Sequence, residues 1–113
     1  MAREAELRIP SGQRTATLYW GGGTPSVLPD AEFLSLNDAI RDRLDLADGA
    51  ECTLEVNPED VRSDRLDLWR SGGFNRLSIG VQTFRDERLD WMGRPHRGRD
   101  AEDAVRRAQD AGF

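Results

Sequence analysis

Thr15-Ala16-Thr17-Leu18-Tyr19 runs directly into Trp20-Gly21-Gly22-Gly23-Thr24-Pro25-Ser26, and this junction governs how the rest of the chain is read. The first five residues form a short β-biased run. Three consecutive glycines then open backbone conformations closed to other residues and remove the side chains that would hold a ligand off the main chain. The expected structure is a backbone cradle at the end of a strand. Pro25 restricts its own φ and favours an extended Thr24, which leaves the Thr24 hydroxyl and the neighbouring amides outside any helix. The same residues also suit a plain strand-to-helix turn. The loop lacks the Gly-Lys-Ser/Thr ending of a P-loop and the glycine spacing of a dinucleotide fold, so nucleoside triphosphate and NAD readings fall away.

Working outward, two further strand candidates follow, Cys52 to Val56 and Arg76 to Val81, each short, apolar-biased and followed by a polar loop. Helix candidates alternate with them: Asp30 to Leu46, Ser63 to Ser71 and Asp100 to Ala111. In the first, Phe33, Leu36, Ile40 and Leu44 recur at helical spacing, with Asp30 as N-cap after Pro29. Ser71-Gly72-Gly73 closes the second. The third carries a narrow apolar stripe of Ala101, Ala104, Val105, Ala108 and Ala111 and stops at Gly112. Residues 1–14 are expected to be irregular. Alternation at this spacing predicts a parallel α/β sheet of βαβ units, on which ligands gather at the carboxyl ends of the strands.

Composition narrows the function classes. Of 113 residues, 37% are hydrophobic and 33% charged, too polar a balance for a large independent core, so the chain is expected to be part of something larger. A net charge of −5 argues against nucleic acid as the main partner. Every basic residue is arginine, a feature of genome composition or a salt-adapted surface rather than of a site. One cysteine, Cys52, rules out an internal disulfide framework, fits a reducing compartment and reads as a buried small hydrophobe. No apolar run approaches the ~18 residues of a membrane span, and the polar start is not a secretory signal, so a cytoplasmic protein is expected.

The three expected strand ends bring Gly22, Gly23 and Thr24, then Glu55, then Gln82 to one rim. Glu55 stands among Thr53, Leu54 and Val56 rather than on a solvated helix face; a carboxylate there suits a vicinal diol such as a ribose, or a rim salt bridge with an arginine. Gln82 offers donor and acceptor for a zwitterionic or amide ligand, or caps the next element. Arg94, in Met92-Gly93-Arg94-Pro95-His96, has the planar fork that pairs with a carboxylate, or is a surface residue. His96 lacks a second histidine, a cysteine pair or a neighbouring acid in sequence and reads as neither ligand nor catalyst. Trp20, Trp69 and Trp91 read as packing anchors.

Taken together, Tyr19-Trp20-Gly21-Gly22-Gly23-Thr24-Pro25-Ser26, Leu54-Glu55-Val56-Asn57-Pro58 and Gly73 to Phe84 (GFNRLSIGVQTF) resemble radical S-adenosylmethionine proteins, in the branch of oxygen-independent coproporphyrinogen III oxidases and their haem-chaperone relatives. The resemblance covers the chain from about Thr15 to Phe113. It implies a partial (β/α) barrel of about three βα units. It also implies that Gly22, Gly23 and Thr24 hold the methionine end of S-adenosylmethionine, that Glu55 contacts an S-adenosylmethionine, and that Gln82 and Arg94 add contacts. The Gly-Arg-x-His turn favours the haem-chaperone branch, with porphyrin or haem as small-molecule partner and haem-acceptor proteins beyond it; the oxidase is the alternative.

One departure stands out. The family holds a [4Fe-4S] cluster on a Cys-x3-Cys-x2-Cys motif ahead of the glycine loop, and Cys52 cannot replace three spaced thiolates. The chain is therefore expected to be an internal fragment, with the cluster motif and a C-terminal domain outside it, and inactive alone. In the full-length protein the resemblance implies either reductive cleavage of S-adenosylmethionine with hydrogen abstraction from a porphyrinogen propionate side chain, or capture and delivery of haem on the same scaffold.

Overall fold

The computed structural model describes residues 2–113. Its elements are α1 (Ala2–Arg8), β1 (Gln13–Trp20), α2 (Asp30–Arg41), β2 (Leu44–Val56), α3 (Ser63–Ser71), β3 (Arg76–Ile79), α4 (Asp86–Trp91) and α5 (Gly98–Asp110). The three strands pair in parallel in the order β1-β2-β3, so each new strand adds beside its predecessor as in a barrel wall.

Alternation along the strands separates two faces of the sheet. Leu18 and Trp20 of β1, Cys52, Leu54 and Val56 of β2, and Leu77 and Ile79 of β3 face the helices and join one core with Phe33, Val61, Leu66, Trp69 and Phe74. Trp20 packs edge-on against Phe33 and Phe74, with centroids 5.3 and 5.5 Å away. The opposite face carries Tyr19, Thr53, Glu55, Arg76 and Ser78. In register, Tyr19 stands beside Thr53 and Thr53 beside Arg76, while Glu55 stands beside Ser78. A polar face turned away from the helices is the face on which a polar ligand can lie.

Several elements differ from the sequence reading. Residues 1–14 are not irregular throughout: Ala2–Arg8 is helical and β1 already begins at Gln13. The Arg43 guanidinium donates to the Glu6 and Ile9 carbonyls and so satisfies the end of α1. Helix α2 stops at Arg41, and Leu44 and Leu46 belong to β2. The helical spacing of Leu44 is overridden because the first half of β1 needs a ladder partner, with Gln13 paired to Leu44 and Thr15 to Leu46. The stretch between Leu46 and Glu51 bulges around Gly49 at φ 73°, and the long strand then resumes its pairing.

Asp30 is the first residue of α2 rather than its N-cap, which is Pro29. Strand β3 ends at Ile79, short of Val81. Helix α5 starts at Gly98, two residues early, because Asp100 accepts the Arg97 N–H at 2.8 Å and Asp86 accepts the Gly98 N–H at 2.9 Å. On α5 the alanines Ala101, Ala104 and Ala108 are buried while Val105 is exposed. Helix α4 has no counterpart in the sequence reading. Trp20 and Trp69 are buried anchors as expected, whereas Trp91, at the end of α4, is 87% exposed and anchors nothing. Cys52 is buried, as its reading as a small hydrophobe required.

Candidate functional site

Glu55 is the penultimate residue of β2, and its position on the helix-free face sets its surroundings. The Tyr19 hydroxyl donates to Oε1 at 2.6 Å and the Gly22 N–H donates to Oε2 at 3.0 Å. The partners of the carboxylate are thus a phenol and a backbone amide of the glycine loop, not the arginine of a rim salt bridge. Both bonds favour the ionised form: the Tyr19 hydroxyl first, and the Gly22 amide second, hold the Glu55 carboxyl below its usual range. In return the bond to Glu55 raises the Tyr19 phenol, opposed by Ser78 and Arg76 of β3, on the far side of β2. Each carboxylate oxygen keeps a lone pair for hydroxyl or ammonium donors of a ligand.

The glycine loop is shaped around this carboxylate. A Cβ on Gly21 would fall 2.6 Å from Glu55 Cδ and 2.7 Å from Tyr19 Cε1, so any side chain there displaces the Glu55 carboxylate and the Tyr19 ring from one another. Gly22 adopts φ 110°, open to glycine alone, and a Cβ on Gly22 or Gly23 would meet nothing within 4 Å. These two residues therefore present bare backbone to open space. Thr24 is left-handed at φ 54° rather than extended, because its carbonyl accepts the Val27 N–H and starts a short 3-10 turn over Pro25–Val27. Below the loop, Ser26 Oγ donates to Asp60 Oδ2 at 2.6 Å, and Arg65 on α3 donates to the Ser26 and Leu28 carbonyls and pairs with Asp30. The loops after β1 and β2 are locked to one another.

Gln82 lies just beyond β3, where Gly80 N–H continues the ladder to the Val56 carbonyl. Its φ is 63°, a conformation that costs a residue with a Cβ about 1 to 3 kcal/mol. Gly22, Glu55 and Gln82 thus share one rim. Arg94 follows α4 with its N–H bonded to the Leu89 carbonyl, and no ion-pair or hydrogen-bond partner of its guanidinium is found among the described residues. No contact brings Arg94 to Glu55. His96 is buried, with Nδ1 3.3 Å from Glu59 Oε2 and Nε2 bonded to the Val81 carbonyl, so it has the acidic neighbour that the sequence does not reveal.

Tyr19, Gly21 and Arg65 were not singled out from the sequence as site residues. The signal for Tyr19 was present: between Leu18 and Trp20, both core residues, alternation sends it to the opposite face beside the glycine loop. For metals the residues do not fit a cluster. Cys52 is the single cysteine and faces the core, and among the described residues no three His, Cys, Asp or Glu side chains gather to hold a metal ion.

The profile of the Radical SAM superfamily matches residues 1–113. Among curated proteins the chain is 43% identical over 108 residues to the haem chaperone HemW of Escherichia coli, covering 96% of this chain and 29% of that protein. It is 38% identical over 86 residues to the oxygen-independent coproporphyrinogen III oxidase of Paracoccus denitrificans, covering 76% and 19%. The solved structure of the Escherichia coli coproporphyrinogen III oxidase HemN, titled a radical SAM enzyme, superposes with TM-score 0.87 at 34% identity, covering 99% of this chain and 26% of that one. The chain thus spans under a third of the length of these relatives. Matched along its whole length by one family profile and superposed almost completely on a solved member, the chain belongs to the radical SAM superfamily.

Proposed function

We propose that the chain forms the S-adenosylmethionine-binding part of a longer, haem chaperone-like radical SAM protein. The observation that carries this reading is the ionised Glu55, pre-set by Tyr19 and Gly22 beside the bare backbone of Gly22 and Gly23. The donor set fits the ligand: a carboxylate for ribose hydroxyls or an ammonium group, open amides for the methionine end, and Gln82 on the same rim. In the longer protein, Gly22, Gly23 and Thr24 bind the amino-acid end, Glu55 and Gln82 orient the remainder, and Arg94 supplies a cation. S-adenosylmethionine supplies one-electron chemistry when bound. The residues of this chain bind and orient it, and the cluster ligands come from outside residues 1–113.

Identity to HemW along nearly the whole chain favours the chaperone branch, with haem as the cargo, and the Gly93-Arg94-x-His96 turn agrees with it. The second reading, an oxygen-independent coproporphyrinogen III oxidase, is favoured by the superposition on HemN. Titration of the anaerobically reconstituted full-length protein tests both. Saturable uptake of S-adenosylmethionine and of haem, without turnover of coproporphyrinogen III, is expected; turnover selects the oxidase. Glu55→Gln is expected to weaken S-adenosylmethionine binding about ten- to a hundredfold, since a charge-assisted acceptor is lost while shape is kept. Equal affinities for wild type and variant make Glu55 a structural residue.

A further inference from the structure

We propose that His96 is a positioning residue for the ligand rim: it fixes the Val81 carbonyl and, through it, the left-handed backbone that aims Gln82. This rests on the reading that the rim binds S-adenosylmethionine.

The His96 side chain is 1% exposed. Its Nε2 lies 3.2 Å from the Val81 carbonyl oxygen, and because a carbonyl only accepts, Nε2 carries the proton and donates. The same oxygen accepts the Thr83 N–H at 2.7 Å, closing a three-residue γ-turn centred on Gln82 at φ 63°. Val81 N–H in turn bonds only as far back as the Ile79 carbonyl, so the sheet ladder has already ended when the chain reaches this turn.

A positive φ at a residue with a Cβ persists where the surroundings over-determine it. Here the bond that crosses from elsewhere in the fold comes from His96. The other ring nitrogen, Nδ1, is buried 3.3 Å from Glu59 Oε2, at ion-pair distance but without the angle of a hydrogen bond. Glu59 sits in the Pro58–Asp60 turn that follows β2. The imidazole is thus wedged between the loops that leave β2 and β3, and Arg94 lies two residues ahead of it in the same turn. The ring is too buried to touch a ligand on the open face, so its effect on binding passes through Gln82.

Two variants of the full-length protein separate the ring's two contacts, because glutamine places an N–H near Nε2 and asparagine places one near Nδ1. With S-adenosylmethionine affinity from equilibrium dialysis and melting temperature measured together, His96→Gln is expected to stay within about threefold of wild type and His96→Asn to bind about tenfold more weakly. Adding Gln82→Ala to His96→Asn is expected to weaken binding no further than Gln82→Ala alone, because both remove one contact. Equal losses in His96→Gln and His96→Asn, additive losses in the double variant, or unchanged affinity with a lowered melting temperature each overturn the proposal. Glu55→Gln measured alongside tells the two readings apart. If Glu55→Gln weakens binding and the His96 variants do not, only the role of His96 fails; if wild type takes up no S-adenosylmethionine, both fail.

Discussion

The hydroxyl of Tyr19 and the carboxylate of Glu55 meet at 2.6 Å across the first two strands, on the face of the sheet that no helix covers. With the Gly22 amide on the second carboxylate oxygen, the acid is oriented and ionised before any ligand arrives. Pre-orientation of this kind lowers the ordering cost of binding. It also makes the junction between β1 and its glycine loop a single unit with the end of β2.

The two shifts run in opposite senses and define a pH window. The Glu55 pKa lies below its ordinary 4.5 and that of Tyr19 above its ordinary 10.0. Stability from Glu55 is present above pH 4.5 and is lost as pH falls through the lowered folded value. Stability from Tyr19 is present below pH 10.0 and is lost as pH rises through the raised folded value. The gap in urea midpoint between wild type and Tyr19→Phe is therefore expected to be flat across neutral pH and to narrow at both extremes. A gap that changes steadily between about pH 5 and pH 9 points to another titrating group.

Gly21 and Gly23 sit two positions apart and are expected to respond differently. Gly21→Ala drives a Cβ into Glu55 and Tyr19, breaking their hydrogen bond, and should lower both the melting temperature and the ligand affinity. Gly23→Ala adds its methyl to open space, so stability should stay within about 0.5 kcal/mol of wild type while ligand approach suffers. Thermal melts and dialysis on the two variants check this; matching behaviour in both measurements contradicts it.

Arg65 is buried and donates to the Ser26 and Leu28 carbonyls. Arg65→Met strands both acceptors and is expected to cost about 2 to 3 kcal/mol. Asp30, the other partner, is 60% exposed, so Asp30→Asn should cost under about 1 kcal/mol. Denaturant midpoints measure both, and similar costs would mean that the ion pair rather than the carbonyl bonds holds the loop.

Cys52 is expected to be silent in cluster chemistry. Cys52→Ala should leave the iron and sulfide content of the reconstituted full-length protein unchanged, while costing about 1 kcal/mol of stability for lost core contacts. Loss of iron in that variant would place a cluster ligand in the core of the sheet.

Much of the architecture was legible in order and composition. The bounds of α3 agree with the sequence reading because Ser71-Gly72-Gly73 stops it locally, and Gly73 takes φ 85°. The end of α2 was not legible: Leu44 continues the helical spacing of Phe33, Leu36 and Ile40 and equally opens a strand alternation with Leu46, and pairing with Gln13 and Thr15 settles the matter. Thr24 defied its extended reading because a local turn, closed by the Val27 N–H, outweighs the restriction that Pro25 imposes. The acidic neighbour of His96, Glu59, is too distant along the chain for any spacing rule to connect them.

By itself the sequence determined the alternation of strands and helices, the parallel sheet and the arrival of Gly22, Glu55 and Gln82 at one rim, because periodicity and glycine punctuation act over a few residues and chain polarity puts all parallel strand ends on one side. Tertiary structure alone decided that Tyr19 holds Glu55, that Gly21 abuts both of them, that Arg65 staples the loop and that His96 reaches Val81. Those contacts depend on register, and register comes from packing between residues distant in sequence, where a slip of one position turns every side chain to the other face.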